Sequence, residues 1–304
     1  MSIIVTPALV KALFTGFRNE FQGQLELAPS AYQQIATVIK STTASNTYGW
    51  LGQFPQLREW IGDRVVKGMA AHGYSIINKL FESTVGVKRT DIEDDNLGIY
   101  TPLFQESGRA AAVYPDEHSF ALLKAGVSSL CYDGQNFFDT DHPVYPNVDG
   151  TGTPSLVSNN LVPGSGAVAA WYLLDTTRAI KPLIFQERAK PILTSMTSEE
   201  DESVFMRDEY RYGIRARSNV GFGFWQMAVR STKPLTPASF TDAYDLMREL
   251  KADGGRPLNI TPSLLVVPSV HRSAAMEVVG KARNADGDNP NFNLVKVLET
   301  AWLN

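Results

Sequence analysis

NTYGWLGQFPQLREWIGDRVVKGMAAHGYSIINKLFESTVGVKRTDIEDDNLG, residues 46–98, decides the architecture predicted for this chain of 304 residues. Aromatic residues and glycines are interleaved along the stretch, as in a long exposed ribbon, and it ends in an acidic run. Apolar surface left in water costs about 25 cal/mol per Å², so a free chain rarely exposes residues such as Trp50 and Trp60 on so loose a pattern. The stretch therefore predicts a ribbon that lies on another chain.

The middle of this stretch, residues 48–87, contains imperfect two-residue periods separated by glycines, which predicts a long β-hairpin. We assign residues 46–90 to this extended loop. Because aromatic residues and arginine are enriched at protein interfaces, part of the loop is predicted to contact a neighbouring subunit. The candidate residues are Trp50, Phe54, Arg58, Glu59, Trp60, Asp63 and Arg64. The alternative for the charged residues around Trp60 is a small local core under the turn.

Residues 1–45 are predicted to form an N-terminal arm that carries one amphipathic helix. Thr6 and Pro7 are typical of a helix start, and apolar residues follow at four-residue steps as far as Phe21. Gly23 is predicted to end this helix. The rest of the arm has no sustained period, which favours an extended chain.

The acidic run from Asp91 to Asp95 predicts the start of a second helix, because negative charge near a helix N-terminus is favourable by about 0.3–1 kcal/mol. Thr101 and Pro102 would supply its first turn. We expect the helix to bend or restart at Pro115, since proline lacks a backbone donor. The following region, residues 132–166, is rich in Gly, Pro, Asn and Asp and is predicted to be mostly loop.

A strand is predicted from Val204, where apolar residues alternate with Arg211, Arg215 and Arg217. Its predicted partner is the segment 221–229. The three arginines could bind carboxylates of a neighbouring chain through paired hydrogen bonds. A solvated sheet face is an equally good interpretation of the same pattern.

The remaining segments complete an α+β chain without an internal repeat. Thr236 and Pro237 predict another helix, which the glycines at 254 and 255 would end. A buried strand over 263–268, a helix over 269–280 and a strand over 294–298 are predicted to follow.

Composition excludes several classes of protein. The formal net charge of −4 shows no basic excess of the kind that general nucleic-acid binders carry. The single cysteine, Cys131, cannot form a disulfide framework. The N-terminus lacks the basic region of a signal peptide, and the apolar runs are shorter than the ~20 residues that span a bilayer. We therefore expect neither secretion nor a membrane.

Catalytic motifs are weak throughout the chain. Asp139, Asp141 and His142 have the side chains of a metal site. Adjacent residues of an extended chain point to opposite sides, however, so turn chemistry explains this DTDHP segment better. Cys131 would need a neighbouring histidine to act as a nucleophile, and a buried structural cysteine is the commoner outcome. The G-x-G that begins at Gly221 lacks the third glycine of a dinucleotide loop.

Five stretches together resemble the major head subunit of Mu-like tailed phages. They are residues 46–98 and the segments LFQESGRAAAVYPDE (103–117), CYDGQNFFDTDHPVYPNVDGTG (131–152), KPLIFQER (181–188) and GFGFWQMAV (221–229). The resemblance implies a Hong Kong 97-type capsid fold. Its parts would be an N-terminal arm (1–45), an extended loop (46–90), a peripheral domain with a long spine helix (91–235) and an axial domain (236–304).

The resemblance also implies function and partners. The chain would assemble with itself, as hexamers and pentamers, into an icosahedral head around double-stranded DNA, with no cofactor and no enzymatic activity. A scaffold, a maturation protease, a portal and a decoration protein are the further partners expected. The location implied is the virion, after assembly in the bacterial cytoplasm. The alternative function is a metal-dependent hydrolase that uses Asp139, Asp141 and His142, or Cys131.

Overall fold

The computed structural model describes residues 4–51, 73–94, 97–284 and 287–304. Six of the predicted contact residues of the extended loop lie outside these ranges, namely Phe54, Arg58, Glu59, Trp60, Asp63 and Arg64. No helix among the described residues is long and apolar enough to cross a lipid bilayer.

Helices and strands alternate irregularly along the chain. The α-helices described are α1 (Pro7–Leu27), α2 (Tyr32–Ile35), α3 (Arg89–Glu93), α4 (Tyr100–Ala125), α5 (Glu202–Arg207), α6 (Pro237–Glu249) and α7 (Arg272–Ala275). The strands are β1 (Ala36–Lys40), β2 (Ser45–Thr47), β3 (Ser75–Ile77), β4 (Lys79–Lys88), β5 (His142–Val144), β6 (Ser155–Val157), β7 (Asn160–Leu161), β8 (Trp171–Leu174), β9 (Leu183–Met196), β10 (Glu209–Phe222), β11 (Ala228–Ser231), β12 (Leu264–Val267), β13 (Arg283–Asn284), β14 (Gly287–Asp288) and β15 (Lys296–Glu299).

A four-stranded sheet with the order β1-β9-β10-β4 forms one half of the molecule. β1 runs parallel to β9, whereas β10 runs antiparallel to both β9 and β4. The β9–β10 pairing extends from Met196 opposite Arg211 to Leu183 opposite Phe222, with an irregularity near Arg215. This is the longest strand pairing among the described residues.

Two helices cover one face of this sheet. Alternation along β10 buries Tyr210, Tyr212 and Ile214 on that face. Phe17 of α1 stacks on Phe104 of α4 with ring centroids 4.2 Å apart, and the Phe104 ring meets Tyr212 edge-on at 5.3 Å. α1 and α4 approach closely because α4 carries Gly108 at the crossing, where a Cβ would overlap the backbone of Phe21.

A five-stranded sheet with the order β15-β12-β8-β11-β7 forms the other half. Every residue of β8 and β12 is buried, as expected of strands covered on both faces. α6 packs against this sheet, and its start is a capping box between Thr236 and Ser239. Trp171 of β8, Phe240 of α6, Ile184 of β9 and Phe222 of β10 belong to one hydrophobic core, so the two sheets share it.

The strand predictions for the middle of the chain need three corrections. The strand predicted from Val204 begins at Glu209, because residues 202–207 form α5. The predicted pairing with 221–229 is wrong, since β10 pairs with β4 and β9. The hairpin predicted as far as Val87 also ends earlier, because β4 joins the four-stranded sheet. Alternation shows which side of a strand is buried, but it does not identify the strand's partner.

The helix predictions need corrections as well. α1 continues through Gly23 to Leu27, since an internal glycine costs only about 1 kcal/mol, which the burial of Phe17 and Phe21 offsets. α4 is one helix that contains Pro115, so the chain does not restart there, and the predicted bend stays a prediction. Its first turn contains no acidic residue, so the predicted role of the acidic run as its start is wrong. Asp91 lies instead in the first turn of α3.

The predicted boundary at residue 235 does not coincide with the boundary between the two sheets. The five-stranded sheet takes β7, β8 and β11 from before this residue, and β12 and β15 from after it. The four-part division of the chain stays a prediction.

Asp116 ties α4 to the segment that leads into β1. Its side chain is buried in the middle of α4. It accepts hydrogen bonds from the Ser30 hydroxyl at 2.7 Å, from the Ala31 backbone nitrogen at 2.9 Å and from the Tyr32 backbone nitrogen at 2.7 Å. Each such bond to a charged group contributes about 1.5–3 kcal/mol.

We expect Asp116→Ala to lower the free energy of unfolding by about 3 kcal/mol, because three donors lose their acceptor in a buried site. Denaturant unfolding followed by circular dichroism measures this change. The matched control is Glu117→Ala at the exposed neighbouring position, which should change stability by less than about 0.5 kcal/mol. Equal stability of the two variants would contradict the proposed tie.

Candidate assembly interfaces

The root of the extended loop is a short antiparallel pair of strands. β2 and β3 place Asn46 opposite Ile76 and Thr47 opposite Ser75. The backbone nitrogen of Tyr48 then donates to the carbonyl of Tyr74 at 2.8 Å. The chain therefore leaves the body and returns to it through one narrow root.

Gln186 on β9 fastens this root to the four-stranded sheet. Its side-chain oxygen accepts from the Tyr48 hydroxyl at 2.7 Å. Its side-chain nitrogen donates to the Ile76 carbonyl at 3.0 Å and to Asn78 Oδ1 at 2.8 Å. The Gln186 side chain is fully buried, and burial raises the pKa of Tyr48 to about 12. The Tyr48 hydroxyl therefore keeps the proton that it donates.

Gly221 allows the root to pack directly on β10. A Cβ at this position would overlap the side chain of Ile76. The Tyr74 hydroxyl accepts from the backbone nitrogen of Phe222 at 2.8 Å, and burial raises the pKa of Tyr74 to about 12. The first glycine of the G-x-G motif thus serves close packing of the loop root.

Trp50, the one predicted loop contact among the described residues, packs on its own chain. Its ring lies 5.9 Å from Tyr48 and 6.0 Å from Phe224, measured between ring centroids. Part of its side chain remains accessible. A contact between that part and a neighbouring subunit stays a prediction.

The three arginines predicted on one side of a strand do lie on one face of the four-stranded sheet, the face opposite α1 and α4, which no described helix covers. Arg215 is opposite Glu82 of β4 and Ile192 of β9. Arg211 is half-buried and lies 3.4 Å from Glu209, measured from Nε to Oε2. Arg217 completes the row at the far end. We name this surface, which comprises Leu80, Glu82, Ile192, Arg211, Arg215 and Arg217, the arginine face.

Of the three predicted metal ligands, only His142 joins a cluster of possible ligands. Asp141 is exposed, whereas His142 is fully buried, and Asp139 accepts hydrogen bonds from the backbone nitrogens of its own loop. His142 lies instead beside Asp133 and Cys131, and the possible ligand atoms of these three residues are within 4.8 Å of one another. No sequence motif marks Asp133, because it lies nine positions before His142 in a loop.

In this cluster the Asp133 carboxylate lies between the Cys131 thiol and the His142 imidazole and is hydrogen-bonded to both. Cys131 Sγ donates to Asp133 Oδ1 at 3.1 Å, and His142 Nδ1 lies 2.7 Å from Asp133 Oδ2. The His142 ring stacks on Trp225 at 4.0 Å between centroids. Burial disfavours the ionised form of Asp133, but the hydrogen bonds from His142 and Cys131 outweigh it and lower the pKa of Asp133.

This order does not suit nucleophilic catalysis. A general base must reach the proton of the nucleophile, and here the carboxylate stands between the thiol and the imidazole. Burial, with the nearby Asp133 carboxylate, raises the pKa of Cys131, so the thiol stays protonated. Sulfur, oxygen and nitrogen donors are the kinds of ligand that Zn²⁺ accepts. In the described structure they bond to one another and hold the loop 131–142 in place.

The comparison with protein families decides the identity. The model of the Mu-like prophage major head subunit gpT matches residues 10–303. The chain belongs to this family. It is 53% identical to the major capsid protein of Escherichia phage Mu over 294 residues, which cover 97% of this chain and 96% of that protein. Members of the Mu-like head subunit family are structural proteins of the capsid, so the hydrolase alternative is not supported.

Solved capsids agree with the family assignment. The chain is similar to a chain of the bacteriophage JBD30 procapsid, with 70% identity, a TM-score of 0.87 and coverage of 98% of this chain and 100% of that one. It is also similar to a chain of the JBD30 capsid decorated with minor capsid protein trimers, with 51% identity, a TM-score of 0.76 and coverage of 99% and 100%. The chain is thus a major capsid protein of the virion, and its α+β fold is the Hong Kong 97 type.

We expect Gln186→Ala to loosen the loop root without unfolding the molecule, because Tyr48, Ile76 and Asn78 lose a shared buried partner. Amide hydrogen exchange should become at least about tenfold faster in β2 and β3 and stay unchanged in the middle of β10. Gln33→Ala, at an exposed position of α2, is the control. If β2 and β3 exchange equally fast in the unchanged chain, in Gln186→Ala and in Gln33→Ala, then Gln186 does not hold the root.

We expect Cys131 to react with a thiol reagent at least about a hundredfold more slowly in the native chain than in guanidine, since only the thiolate reacts. Burial raises the pKa of Cys131, so raising the pH from 7 to 9 should accelerate labelling of the denatured chain and leave native labelling slow. Ellman's reagent measures both rates. Fast native labelling at pH 7 would reveal an activated thiol.

Proposed function

We propose that this capsid protein builds the phage head in the bacterial cytoplasm, as hexamers and pentamers around double-stranded DNA, and that its extended loop joins adjacent subunits. The anchored loop root carries this proposal. A two-stranded hairpin alone is marginal in water. Gln186 and Gly221 fix the base of this hairpin to the four-stranded sheet.

The two halves of the molecule suit different places in the shell. The four-stranded sheet with α1 and α4 would be the peripheral part, with α4 as the spine helix. The five-stranded sheet with α6 and α7 would be the axial part at the centres of hexamers and pentamers. The arginine face lies on the peripheral part, and we propose that it contacts a neighbouring subunit.

The charge of the chain suits a container for DNA. A net charge of −4 provides no broad basic surface, so the shell would not hold the packaged DNA tightly through its phosphates. We expect a scaffold, a maturation protease and a portal as partners during assembly. The trimers of minor capsid protein on the JBD30 capsid support a decoration partner here as well.

Deletion of residues 52–68 with a short Gly/Ser linker should leave a folded chain that forms no shells. Both root strands lie outside the deletion, so the body keeps its hydrogen bonds. Trp60→Ala should also reduce assembly, because an interface aromatic typically contributes about 2 kcal/mol or more and a shell repeats that contact in every subunit.

Circular dichroism, thermal melting and negative-stain electron microscopy of the same preparations measure these effects. Glu117→Ala, changed at an exposed position of α4, is the control for particle yield. Normal particles from the deletion variant would refute the interface role of the loop. An unfolded deletion variant would show that the loop belongs to the core of its own chain.

A further inference from the structure

α5 presents two large apolar side chains to solvent. Phe205 is 81% exposed and Met206 is 69% exposed, whereas Ser203 and Val204 of the same helix are buried. Val204 belongs to the core that α1 and α4 share with the four-stranded sheet. The exposed pair therefore sits on a helix that is itself anchored, and its exposure carries a hydrophobic cost. We name residues 198–208 the acidic knob.

The acidic knob is held in one conformation. Its last residue, Asp208, adopts a left-handed backbone conformation with φ of 54°, and its carbonyl accepts from the backbone nitrogen of Arg89 at 3.0 Å. The Arg89 side chain lies 3.2 Å from Glu199 and 4.0 Å from Asp208. At the other end, Asp201 accepts from the backbone nitrogen of Ser198 at 2.7 Å. Little conformational freedom is left for a partner to remove.

The charge of the acidic knob is negative. Its acidic residues are Glu199, Glu200, Asp201, Glu202 and Asp208, against one basic residue, Arg207. Glu200 and Glu202 are exposed. A surface complementary to these carboxylates and to exposed Phe205 and Met206 has both cationic and apolar side chains.

The arginine face offers this combination. Among the described residues, Arg215 and Arg217 form no ion pair, although Glu82 lies opposite Arg215 in the sheet. Leu80 is 61% exposed and Ile192 is 56% exposed. Arginine fits such a surface, since its guanidinium group pairs with carboxylates and its stem covers apolar neighbours.

The knob of one chain lies beside Arg211 of its own arginine face but well away from Arg215 and Arg217. The knob joins the sheet where Met196 pairs with Arg211. Arg215 and Arg217 lie four and six residues further along β10, which corresponds to roughly 13 and 20 Å at 3.3 Å per residue. A contact between the knob and Arg215 or Arg217 therefore requires another copy of the chain.

We infer that the acidic knob of one subunit docks on the arginine face of the next. Phe205 and Met206 would contact Leu80 and Ile192, and Glu200 and Glu202 would pair with Arg215 and Arg217. The contact joins two different surfaces, so it is head-to-tail and closes into rings when the rotation allows. The inference rests on the proposed shell function and names the occupant of the arginine face.

Disulfide trapping tests the geometry. The variant with both Met206→Cys and Ile192→Cys, oxidised with copper phenanthroline in the highest assembly that the purified chain forms, should give a ladder of linked chains on non-reducing gels. Each single variant should stay unlinked, and an equal mixture of the two should give dimers. Dimers from Met206→Cys alone would mean that knobs meet knobs, which overturns the inference.

Charge reversal tests the energetics. Arg215→Glu with Arg217→Glu should lower the fraction of chain in particles at least about tenfold, since like charges would then face each other. Adding Glu200→Arg and Glu202→Arg should restore at least half of it. Arg18→Glu, exposed on α1 at the covered side of the sheet, is the matched control. If the fraction of chain in particles does not recover in the variant with all four substitutions, the proposed pairing is wrong.

The same preparations separate this inference from the proposed function. If the unchanged chain forms particles but the double-cysteine variant stays unlinked, the knob contact is refuted and the shell function stands. Failure of the unchanged chain to assemble under any condition would refute both.

Discussion

The long antiparallel pairing of β9 with β10 is the constraint on which the rest of the structure depends. At one end, Leu183 and Phe222 lie in the core that both sheets share. At the other end, Leu193 and Tyr212 lie in the second core, beneath α1 and α4. One strand pairing, irregular only near Arg215, therefore runs through both cores.

The same strand pair positions two of the surfaces that we assign to assembly. Gln186 of β9 and Gly221 of β10 hold the root of the extended loop against the sheet. At the opposite end, α5 connects the two strands and carries the exposed Phe205. The loop root and the knob therefore lie at opposite ends of the same strand pair. The relative placement of these two contacts on the subunit would influence how adjacent subunits meet.

Buried polar side chains secure the connections of this fold, and each of them bonds to parts of the chain that are distant in sequence. Asp116 joins α4 to the segment before β1. Asn159 donates to the carbonyls of Phe137 and Ala228 and accepts from the backbone of Asp139. The cluster of Cys131, Asp133 and His142 is also polar and largely buried, but it joins residues of a single loop. A cysteine, an aspartate and a histidine in one place can suggest catalysis, but their order of hydrogen bonding matches a structural role.

Sequence alone determined the local features of this protein, and the resemblance to Mu-like head subunits added the fold type. Thr6 with Pro7 and Thr236 with Pro237 start helices wherever the chain is placed, because capping involves neighbouring residues only. Alternation along β10 likewise placed Arg211, Arg215 and Arg217 on one side. Only the tertiary structure decided that β10 pairs with β4 and β9, that α4 continues through Pro115, and that Asp133 meets His142. The strand pairing depends on contacts between residues far apart in the chain, and the other two outcomes depend on how the surrounding residues pack, so no local pattern encodes them.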